Sequence, residues 1–291
     1  MKKLVSSVLV LCMIAVALAG CGNKSTETTK ATEATASTEA AVSTEAVSET
    51  QAAEGEAATV QVYIAASLSN AMDEISANYK SVQPNVDLVF NAGSSGKLQT
   101  QIEEGGACDV FFSAATKQMN ALVEGGYVQE ADVTDLLENK VQLIKPAGTE
   151  TKVTGFENIT DAANLALAAD TVPVGQYARE IFDNLGITDQ VMAMEINECE
   201  DVSAVLAAVS EGSNEVGIVY ATDAASDADK VDVIATANDT ELKSKVIYPV
   251  GLVKNTEADD AEVAAAKAFV DYLKTPEAAA VFEKYGFSCI N

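Results

Sequence analysis

The chain has 291 residues, 44 of them acidic and 18 basic, so its formal net charge at pH 7 is −26. Nucleic-acid binding relies on Lys and Arg placed against phosphates, and a chain this acidic is a poor candidate for it. The sequence contains no histidine, which excludes Ser-His-Asp and Cys-His catalysis, histidine-ligated zinc and histidine acid–base chemistry.

The N-terminus has the pattern of a bacterial lipoprotein signal. Lys2 and Lys3 precede an apolar stretch, Leu4 to Leu18, that is short for a membrane span. The stretch closes in LAGC, so small residues lie directly before Cys21. We expect residues 1–21 to be the signal peptide and its lipidation cysteine, with the mature protein outside the cytoplasm and anchored to the cell membrane by lipid on Cys21. An ordinary secretory signal with an incidental cysteine is the alternative.

Residues 22–58 are predicted to form a disordered tether. They consist almost entirely of Thr, Glu, Ala and Ser with a few Val, and they contain no Leu, Ile or aromatic residue. Such a segment buries too little apolar area to offset the entropy that folding costs. Residues 59–291 are long enough for one large lobe or two small ones.

Strands and helices alternate along the first half of the folded part. The predicted strands are TVQVYIAA, VDLVFNA and CDVFFSA, and the predicted helices are LSNAMDEISANYKSV, GKLQTQIEEGG and TKQMNALVEGGYV. Repeated strand–helix units indicate a parallel sheet covered by helices on both faces.

The pattern then restarts. Further strands are predicted at KVQLIKP, ANLALAA, EVGIVYA and KVIYPVGLVK, and further helices at GQYAREIFDNLG, at DVSAVLAAVSEG and on either side of Pro276. We therefore predict an α/β fold with two lobes and a cleft between them. Lobe 1 would comprise about 59–139 plus 249–291, and lobe 2 about 140–248.

Four predicted strand-to-helix turns carry the functional information. Their sequences are AASLSNA, GSSG, VPVGQYA and ECEDVSA. Each exposes backbone N–H groups at the positive end of a helix, and in open α/β sheets such turns lie at the carboxyl ends of strands, where ligands bind. Several helix starts that face one cleft form an anion site that needs no Lys or Arg.

The GSSGK turn superficially resembles a nucleotide-binding loop. That loop requires a glycine five residues before the Gly-Lys pair and Ser or Thr after it. Asn91 and Leu98 occupy those positions, so the nucleotide interpretation fails at both ends. For each single residue a structural role remains the alternative, since serine at a helix start commonly caps the helix and Tyr220 ends an apolar strand.

The folded part resembles the molybdate-binding proteins of bacterial ABC importers over nearly its whole length. The stretches that carry the resemblance are AASLSNAMDEI, GSSGKLQTQIEEGGACDVFFSA, VPVGQYARE, EDVSAVLAAV, VGIVYATDA and YLKTPEAAAVFEKYGF. The resemblance implies a two-lobed periplasmic-binding-protein, or Venus-flytrap, fold that closes over a tetrahedral oxyanion. It also implies a receptor rather than an enzyme, with no cofactor, that binds molybdate and tungstate and delivers them to the permease of an ABC importer.

The same resemblance implies which residues bind the oxyanion. Ser67 and Ser95 would each donate a hydroxyl and a backbone N–H group. Val174 and Val202 would each donate a backbone N–H group, and Tyr220 would donate its hydroxyl. No cation and no direct metal ligand belongs to this set, and Ser94 is a less favoured neighbour. The family often has serines where this chain has Gly93 and Gly96, a difference that changes the stiffness of the turn and retains Ser95.

A site built only of donors has a predictable preference. A ligand that carries a proton needs an acceptor, so phosphate at neutral pH should be rejected, whereas sulfate must be rejected by size. A receptor for another tetrahedral oxyanion such as sulfate is the alternative function. We expect the receptor to be a monomer.

Two other classes of function were weighed. A hydrolase would need paired carboxylates, and the acidic residues that might supply them are Asp109, Glu198, Glu200 and Asp201. A surface adhesion or scaffold lipoprotein is the other class, although the chain has few aromatic residues for such contacts.

The cysteines of the folded part match no metal-binding motif. They are Cys108, Cys199 and Cys289. Free buried thiols are expected, and one disulfide with one odd thiol is the alternative.

Overall fold

A computed structural model describes residues 56–290. The predicted signal peptide, the lipidation site at Cys21 and residues 22–55 of the predicted tether lie outside the described residues. Within the described part, the first strand begins at Ala58, the last residue assigned to the tether. Among residues 56–290, no helix combines the length and the apolar character that crossing a membrane requires.

Strands and helices alternate through most of this range. The strands are β1 (Ala58–Ala65), β2 (Val86–Gly93), β3 (Val110–Phe112), β4 (Val128–Asn139), β5 (Val141–Pro146), β6 (Leu165–Ala168), β7 (Ile196–Cys199), β8 (Val216–Tyr220), β9 (Val231–Thr236), β10 (Val246–Val253) and β11 (Ser288–Cys289). The α-helices are α1 (Ser69–Val82), α2 (Ser95–Glu103), α3 (Thr116–Glu124), α4 (Pro173–Leu185), α5 (Thr188–Met192), α6 (Val202–Ser210), α7 (Ala221–Ser226), α8 (Asp260–Leu273) and α9 (Pro276–Lys284). Short 3-10 helices cover Ala66–Leu68 and Phe156–Asp161.

The strands form two sheets, as the prediction of an α/β fold with two lobes requires. The first sheet has the order β11-β4-β10-β3-β1-β2, and the second has the order β7-β6-β8-β5-β9. The chain passes to the second sheet between Asn139 and Val141 and returns with β10 at Val246, three residues before the return at Pro249 that the sequence suggested.

Both sheets are mixed, although the three strands from which a parallel sheet was predicted do pair in parallel. β1 pairs in parallel with β2 and β3, whereas β10 runs antiparallel to β3 and β4. In the second sheet, β6 is parallel to β7 and β8, whereas β5 is antiparallel to β8 and β9. The chain crosses between the sheets from β4 to β5 and again from β9 to β10, with no helix between the two strands in either case. These four strands all form antiparallel pairs.

Strands β4, β7, β9 and β11 were not predicted, and β4 and β7 lack an apolar run. β4 contains the polar segment QEADVTD, and its central residues are exposed or half-buried. β7 and β9 form the two edges of the second sheet, where one side of a strand meets solvent and polar residues are tolerated.

The first sheet is covered on both faces. Along β1, Val60, Val62 and Ile64 face the large core that also contains residues of α1, α8 and α9. Tyr63 points to the opposite face and packs in a second cluster with Leu98 of α2. This alternation follows from the two-residue period of a strand, and it places α2 and its first turn on the opposite face from α1.

Aromatic rings join the two sheets. Tyr220, at the end of β8, lies edge-to-face against Tyr248 of β10 with ring centroids 5.7 Å apart. Tyr248 in turn lies 5.3 Å from Phe287, again edge-to-face. Because these rings are buried, the sheets share one apolar core at this point, and the two lobes are in contact.

The short helix α7 depends on a buried carboxyl group. Asp223 accepts a hydrogen bond from the backbone N–H of Tyr220 at 3.2 Å and so caps the start of the helix. Burial raises the pKa of Asp223 from the ordinary 3.8 to about 7, and the nearby charge of Asp201 adds to the effect. The folded state therefore retains a proton that the unfolded chain releases at much lower pH.

We predict that this carboxyl group makes folding pH-dependent. Since the folded pKa is raised, the contribution of Asp223 to stability is lost as pH rises through about 7. We compare the unfolding free energy of Asp223→Asn with that of the unaltered protein at pH 5 and at pH 8. The difference, variant minus unaltered, should be roughly 2 to 3 kcal/mol larger at pH 8 than at pH 5. Urea unfolding at the two pH values measures this gain. The exposed Asp239 provides the control, since Asp239→Asn should leave the difference near zero, and an equally flat result for Asp223→Asn would refute the prediction.

Candidate functional site

The four turns singled out in the sequence all lie at helix starts in the structure. Ser67 lies in the 3-10 turn Ala66–Leu68, between β1 and α1, and Ser95 is the first residue of α2 after β2. Val174 is the second residue of α4 after β6, and Val202 is the first residue of α6 after β7. Each turn therefore follows the carboxyl end of a strand, as expected for ligand sites of α/β sheets.

Contacts across the cleft bring these turns together. A Cβ atom at Gly96, in the second turn, would lie 2.1 Å from the backbone oxygen of Thr171, in the third turn. Lys97 Nζ of the second turn lies 2.6 Å from Glu200 Oε2 of the fourth, and α6 packs against the 3-10 turn that carries Ser67. The helix starts of one lobe thus face those of the other at close range.

The two adjacent serines of the second turn have different roles. Ser94 Oγ accepts a hydrogen bond from the backbone N–H of Lys97 at 3.4 Å and caps α2. Ser95 is 0% exposed, and its Oγ accepts from the backbone N–H of Ala114 at 3.0 Å. Because an accepted bond leaves a hydroxyl proton free, Ser95 retains a proton that it could donate.

Val174 and Val202 present backbone donors. Both side chains are buried, and both residues lie in the first turn of a helix, where N–H groups have no intrahelical acceptor. The residue that caps α4, Val172, offers no side-chain oxygen, and at α6 the carboxylate of Asp201 accepts from Ala204 N. The N–H groups at positions 174 and 202 are therefore suited to bind an anion.

Tyr220 supplies a buried hydroxyl. Only 1% of the residue is exposed, and its hydroxyl has no hydrogen-bond partner among the residues that the structure describes. Burial raises the pKa of Tyr220 well above its usual value, so the group is a neutral donor. A buried hydroxyl without a partner costs about 1–3 kcal/mol. Tyr79 Oη and Gln118 Oε1 also lack a partner among the described residues, and Tyr220 is the one of the three that belongs to the predicted binding set.

The basic side chains of α2 and α4 are already engaged. Lys97 is half-exposed in its ion pair with Glu200, and Arg179 Nη1 donates to the carbonyl oxygens of Ala168 and Gly175 at 2.9 and 2.8 Å. Ser67, Ser95 and Tyr220 thus offer neutral donors. Such a set accommodates an anion through hydrogen bonds rather than through a countercharge.

A cavity of about 120 Å³ borders the first turn. It is lined by Ala66, Ser67, Ser69, Asn70, Ala71, Ser203, Leu206, Thr222, Asp223, Ser226, Tyr285 and Phe287. Of the five predicted binding residues, only Ser67 belongs to this lining. The cavity therefore lies beside the predicted binding residues. Ser95, Val174, Val202 and Tyr220 do not line it.

Three of the four carboxylates that a hydrolase might use are engaged in structural contacts. Both oxygens of Asp109 are held in place, by the backbone N–H of Gln61 and by Asn255 Nδ2, each at 2.7 Å. Glu200 is paired with Lys97 and Asp201 caps α6. Within residues 56–290, no group of three or more Cys, Asp or Glu side chains is arranged to hold a metal ion.

The cysteines of the folded part are free thiols. Cys108 and Cys199 are buried, and Cys289 is partly exposed. Burial raises the pKa of Cys108 far above the usual range of a thiol, so this group is chemically inert. The free-thiol expectation is confirmed, with Cys289 less buried than expected.

Sequence reasoning missed two polar residues beside the site. Tyr248 was assigned to a strand without a role, and its hydroxyl lies 2.9 Å from Ser67 Oγ. Asn139 was noted only as the point where the chain leaves the first lobe, and its Nδ2 lies 3.2 Å from Tyr248 Oη. The only available signal was a tyrosine near the start of the apolar strand β10, because Asn139 ends a strand that the sequence did not predict.

Sequence comparisons agree with this architecture. Residues 60–288 match the family model described as bacterial extracellular solute-binding protein. The Bacillus subtilis protein YvgL, provisionally described as an ABC transporter substrate-binding lipoprotein, is 37% identical over 79% of this chain and 86% of its own length. The molybdate-binding protein ModA of Escherichia coli is 35% identical over 79% of this chain and 88% of its own length.

Solved structures share the fold. The periplasmic molybdate-binding protein of Azotobacter vinelandii superposes with a TM-score of 0.69 at 20% identity, covering 80% of this chain and 100% of that one. The sulfate-binding protein SubI of Mycobacterium tuberculosis also gives a TM-score of 0.69, at 13% identity, covering 80% of this chain and 88% of that one. The two-lobed fold is therefore confirmed, and the fold alone does not distinguish between the two anions.

The family match covers most of the chain, and the relatives are solute-binding proteins. The expectation of a binding protein rather than an enzyme is thereby confirmed. On this ground, and with its two mixed sheets and facing helix starts, the chain belongs to the bacterial extracellular solute-binding proteins.

Proposed function

We propose that this protein is an extracytoplasmic receptor that binds molybdate, and also tungstate, between its lobes and delivers it to an ABC importer. The observation that carries the proposal is the Tyr220 hydroxyl, buried without a partner in the described part of the chain, beside helix starts that face each other across the cleft. The 35% identity to the molybdate-binding protein of Escherichia coli supports molybdate as the anion.

In this proposal the oxyanion is held by neutral donors from both lobes. Lobe 1 contributes hydroxyl and N–H groups of Ser67 and Ser95, and lobe 2 contributes the N–H groups of Val174 and Val202 and the hydroxyl of Tyr220. The burial of Ser95 and Tyr220 supports these roles, since a hydrogen bond to an anion is strongest where water is excluded.

The donor set would determine which anions bind. A doubly charged anion taken out of water must have its oxygens hydrogen-bonded, because an unpaired buried charge is very costly. A set of hydroxyl and N–H donors suits a fully deprotonated ligand, whereas the proton of hydrogen phosphate would face another donor. Sulfate carries no proton and must be excluded by size, so a sulfate receptor is the alternative. The shared fold of SubI, a sulfate-binding protein, keeps that alternative in view.

Anchoring follows from the N-terminal sequence. We infer that lipid on Cys21 holds the protein at the outer face of the membrane and that the residues from 22 to the start of β1 at Ala58 act as a tether. The lipoprotein description of YvgL supports this anchor. A tether raises the effective concentration of the receptor near its permease, and a monomer suffices for this role.

One prediction of this proposal concerns the ligand and the binding residues. Calorimetric titration should show one-to-one binding of molybdate and tungstate, weaker binding of sulfate, and none of phosphate. Ser95→Ala and Tyr220→Phe should each weaken molybdate binding about tenfold or more, because each removes a buried donor to a charged group.

The neighbouring serine is the matched control. Ser94→Ala removes a helix cap, so it should lower the unfolding free energy by about 1 kcal/mol and leave affinity nearly unchanged. Tight binding of sulfate alone would indicate a receptor for sulfate rather than for molybdate. Absence of binding for all four anions would contradict the proposal.

Another prediction of this proposal concerns closure of the lobes around the ligand. Gly96→Ala would place a Cβ atom 2.1 Å from Thr171 O in the facing lobe, so the lobes could not approach as closely. Alanine is a better helix former than glycine, which offsets part of the cost of this clash, so the ligand-free protein should still fold. We expect molybdate affinity to drop about tenfold or more, since closure supplies the contacts from the second lobe. Titration and small-angle X-ray scattering with ligand measure the two effects.

Gly93 offers a control in the same turn. A Cβ atom there would lie 3.8 Å from Leu98 Cδ2, an ordinary contact, so Gly93→Ala should bind and close like the unaltered protein. Normal affinity and normal compaction in Gly96→Ala would show that the contact with Thr171 does not limit closure.

A further inference from the structure

A chain of hydrogen bonds runs from the crossing between the sheets to Ser67. The backbone N–H of Lys140 donates to Asn139 Oδ1 at 2.8 Å. Asn139 Nδ2 donates to Thr222 Oγ1 at 2.9 Å and to Tyr248 Oη at 3.2 Å. Tyr248 Oη lies 2.9 Å from Ser67 Oγ. All four side chains lie in or beside the contact region between the two sheets.

The chemistry of the groups fixes the direction of this chain. A backbone N–H is only a donor, so the atom of Asn139 that it contacts is the amide oxygen, and the NH2 group faces Thr222 and Tyr248. Tyr248 Oη therefore accepts from Asn139. Tyr248 is fully buried, and its hydroxyl has hydrogen bonds with Asn139 Nδ2, which can only donate, and with Ser67 Oγ. The neighbouring Tyr220 hydroxyl interacts with it electrostatically but makes no hydrogen bond of normal geometry to it. The single proton of the Tyr248 hydroxyl is thus best placed on Ser67 Oγ.

The hydrogen bond from Tyr248 determines what the Ser67 hydroxyl can do with its own proton. When Oγ accepts from Tyr248, its own proton is left over and can be donated elsewhere. Were the bond reversed, the Ser67 proton would be used on Tyr248, and Ser67 would face a ligand with lone pairs. Burial holds the pKa of Tyr248 well above its usual value, so Tyr248 remains protonated and the direction is stable near neutral pH.

We propose that Tyr248 and Asn139 are positioning residues that orient the Ser67 hydroxyl as a donor toward the bound oxyanion. The proposal rests on the proposed function, because it assigns a role within the same site. Asn139 ends β4 where the chain passes to the second sheet, and Thr222 belongs to α7 of the second lobe. The orientation is therefore tied to the arrangement of the lobes and does not depend on the first turn alone.

A double-mutant cycle tests the proposal. In the full chain purified in detergent, Tyr248→Phe should lower molybdate affinity about fivefold to tenfold. In the Ser67→Ala background the same change should have less than about a twofold effect, because no hydroxyl is left to orient. Equal losses in the two backgrounds would overturn the proposal, since they would indicate general damage to the site.

Selectivity is the second readout, and a purely structural role would not alter it. Without Tyr248 as donor, the Ser67 hydroxyl can turn and accept a proton from a ligand. The ratio of molybdate to phosphate affinity should therefore fall in Tyr248→Phe, by more than the loss of molybdate affinity alone accounts for. An unchanged phosphate affinity would overturn the proposal.

A neighbouring tyrosine provides the matched control. Tyr177 also lies edge-to-face against Tyr220, at 6.5 Å, but its hydroxyl donates to the carbonyl oxygen of Lys245. Tyr177→Phe should retain both affinity and selectivity. A loss as large as that of Tyr248→Phe would count against a specific role for Tyr248.

Asn139→Asp gives an independent test should Tyr248→Phe fail to fold. A carboxylate at this position accepts from Tyr248 and reverses the chain, so the Ser67 proton is drawn to Tyr248. Molybdate affinity should then fall, and Ser67→Ala should add less than about twofold to the loss. Additive losses would overturn the proposal. Failure of the unaltered protein to bind any oxyanion would instead overturn the proposed function, and this inference with it.

Discussion

The organisation of this site follows from the cost of burying a charge. An anion removed from water must exchange its hydration for hydrogen bonds of equal quality, and any oxygen left without a donor is a large penalty. In the proposed site, helix starts from both lobes would meet this constraint, because they expose N–H groups by necessity. The buried hydroxyls of Ser95 and Tyr220 complete the set. The two-lobed fold is the means of surrounding a small ligand with such groups on all sides.

The same constraint explains why neutral donors suit this chain. With a net charge of −26, the outer surface repels anions, so selectivity must come from short-range contacts within the cleft. A lysine or arginine in the site would attract any anion of the right sign, including protonated phosphate. Lys97 is instead held by Glu200 at the exposed edge of the second turn, where an ion pair contributes little to stability. Specific recognition is thereby separated from charge attraction.

How much of this was predictable depends on the range of the interactions involved. The helix starts could be predicted because capping residues, glycines and apolar periodicity act within a few residues. The start of α2 at Ser95, one residue before the predicted start, is an example, and so is the end of α4 at the left-handed glycine Gly186 (φ 68°). Strand β4 was missed because its pattern is set by neighbours distant in sequence. The bond between Asn139 and Tyr248 joins residues 109 apart, and only the strand order of the first sheet brings them together.

Buried hydroxyl groups also differ from N–H groups in one respect that governs selectivity. A backbone N–H can only donate, whereas a hydroxyl donates or accepts according to its neighbours. A site that must reject protonated ligands therefore needs its hydroxyls constrained by groups whose own direction is fixed. The Ala114 N–H occupies one lone pair of Ser95 at 3.0 Å, and in our proposal the Lys140 N–H directs Ser67 through Asn139 and Tyr248. In both cases the ultimate source of direction is a backbone donor, so selectivity is built on the part of the protein that cannot change its hydrogen-bonding character.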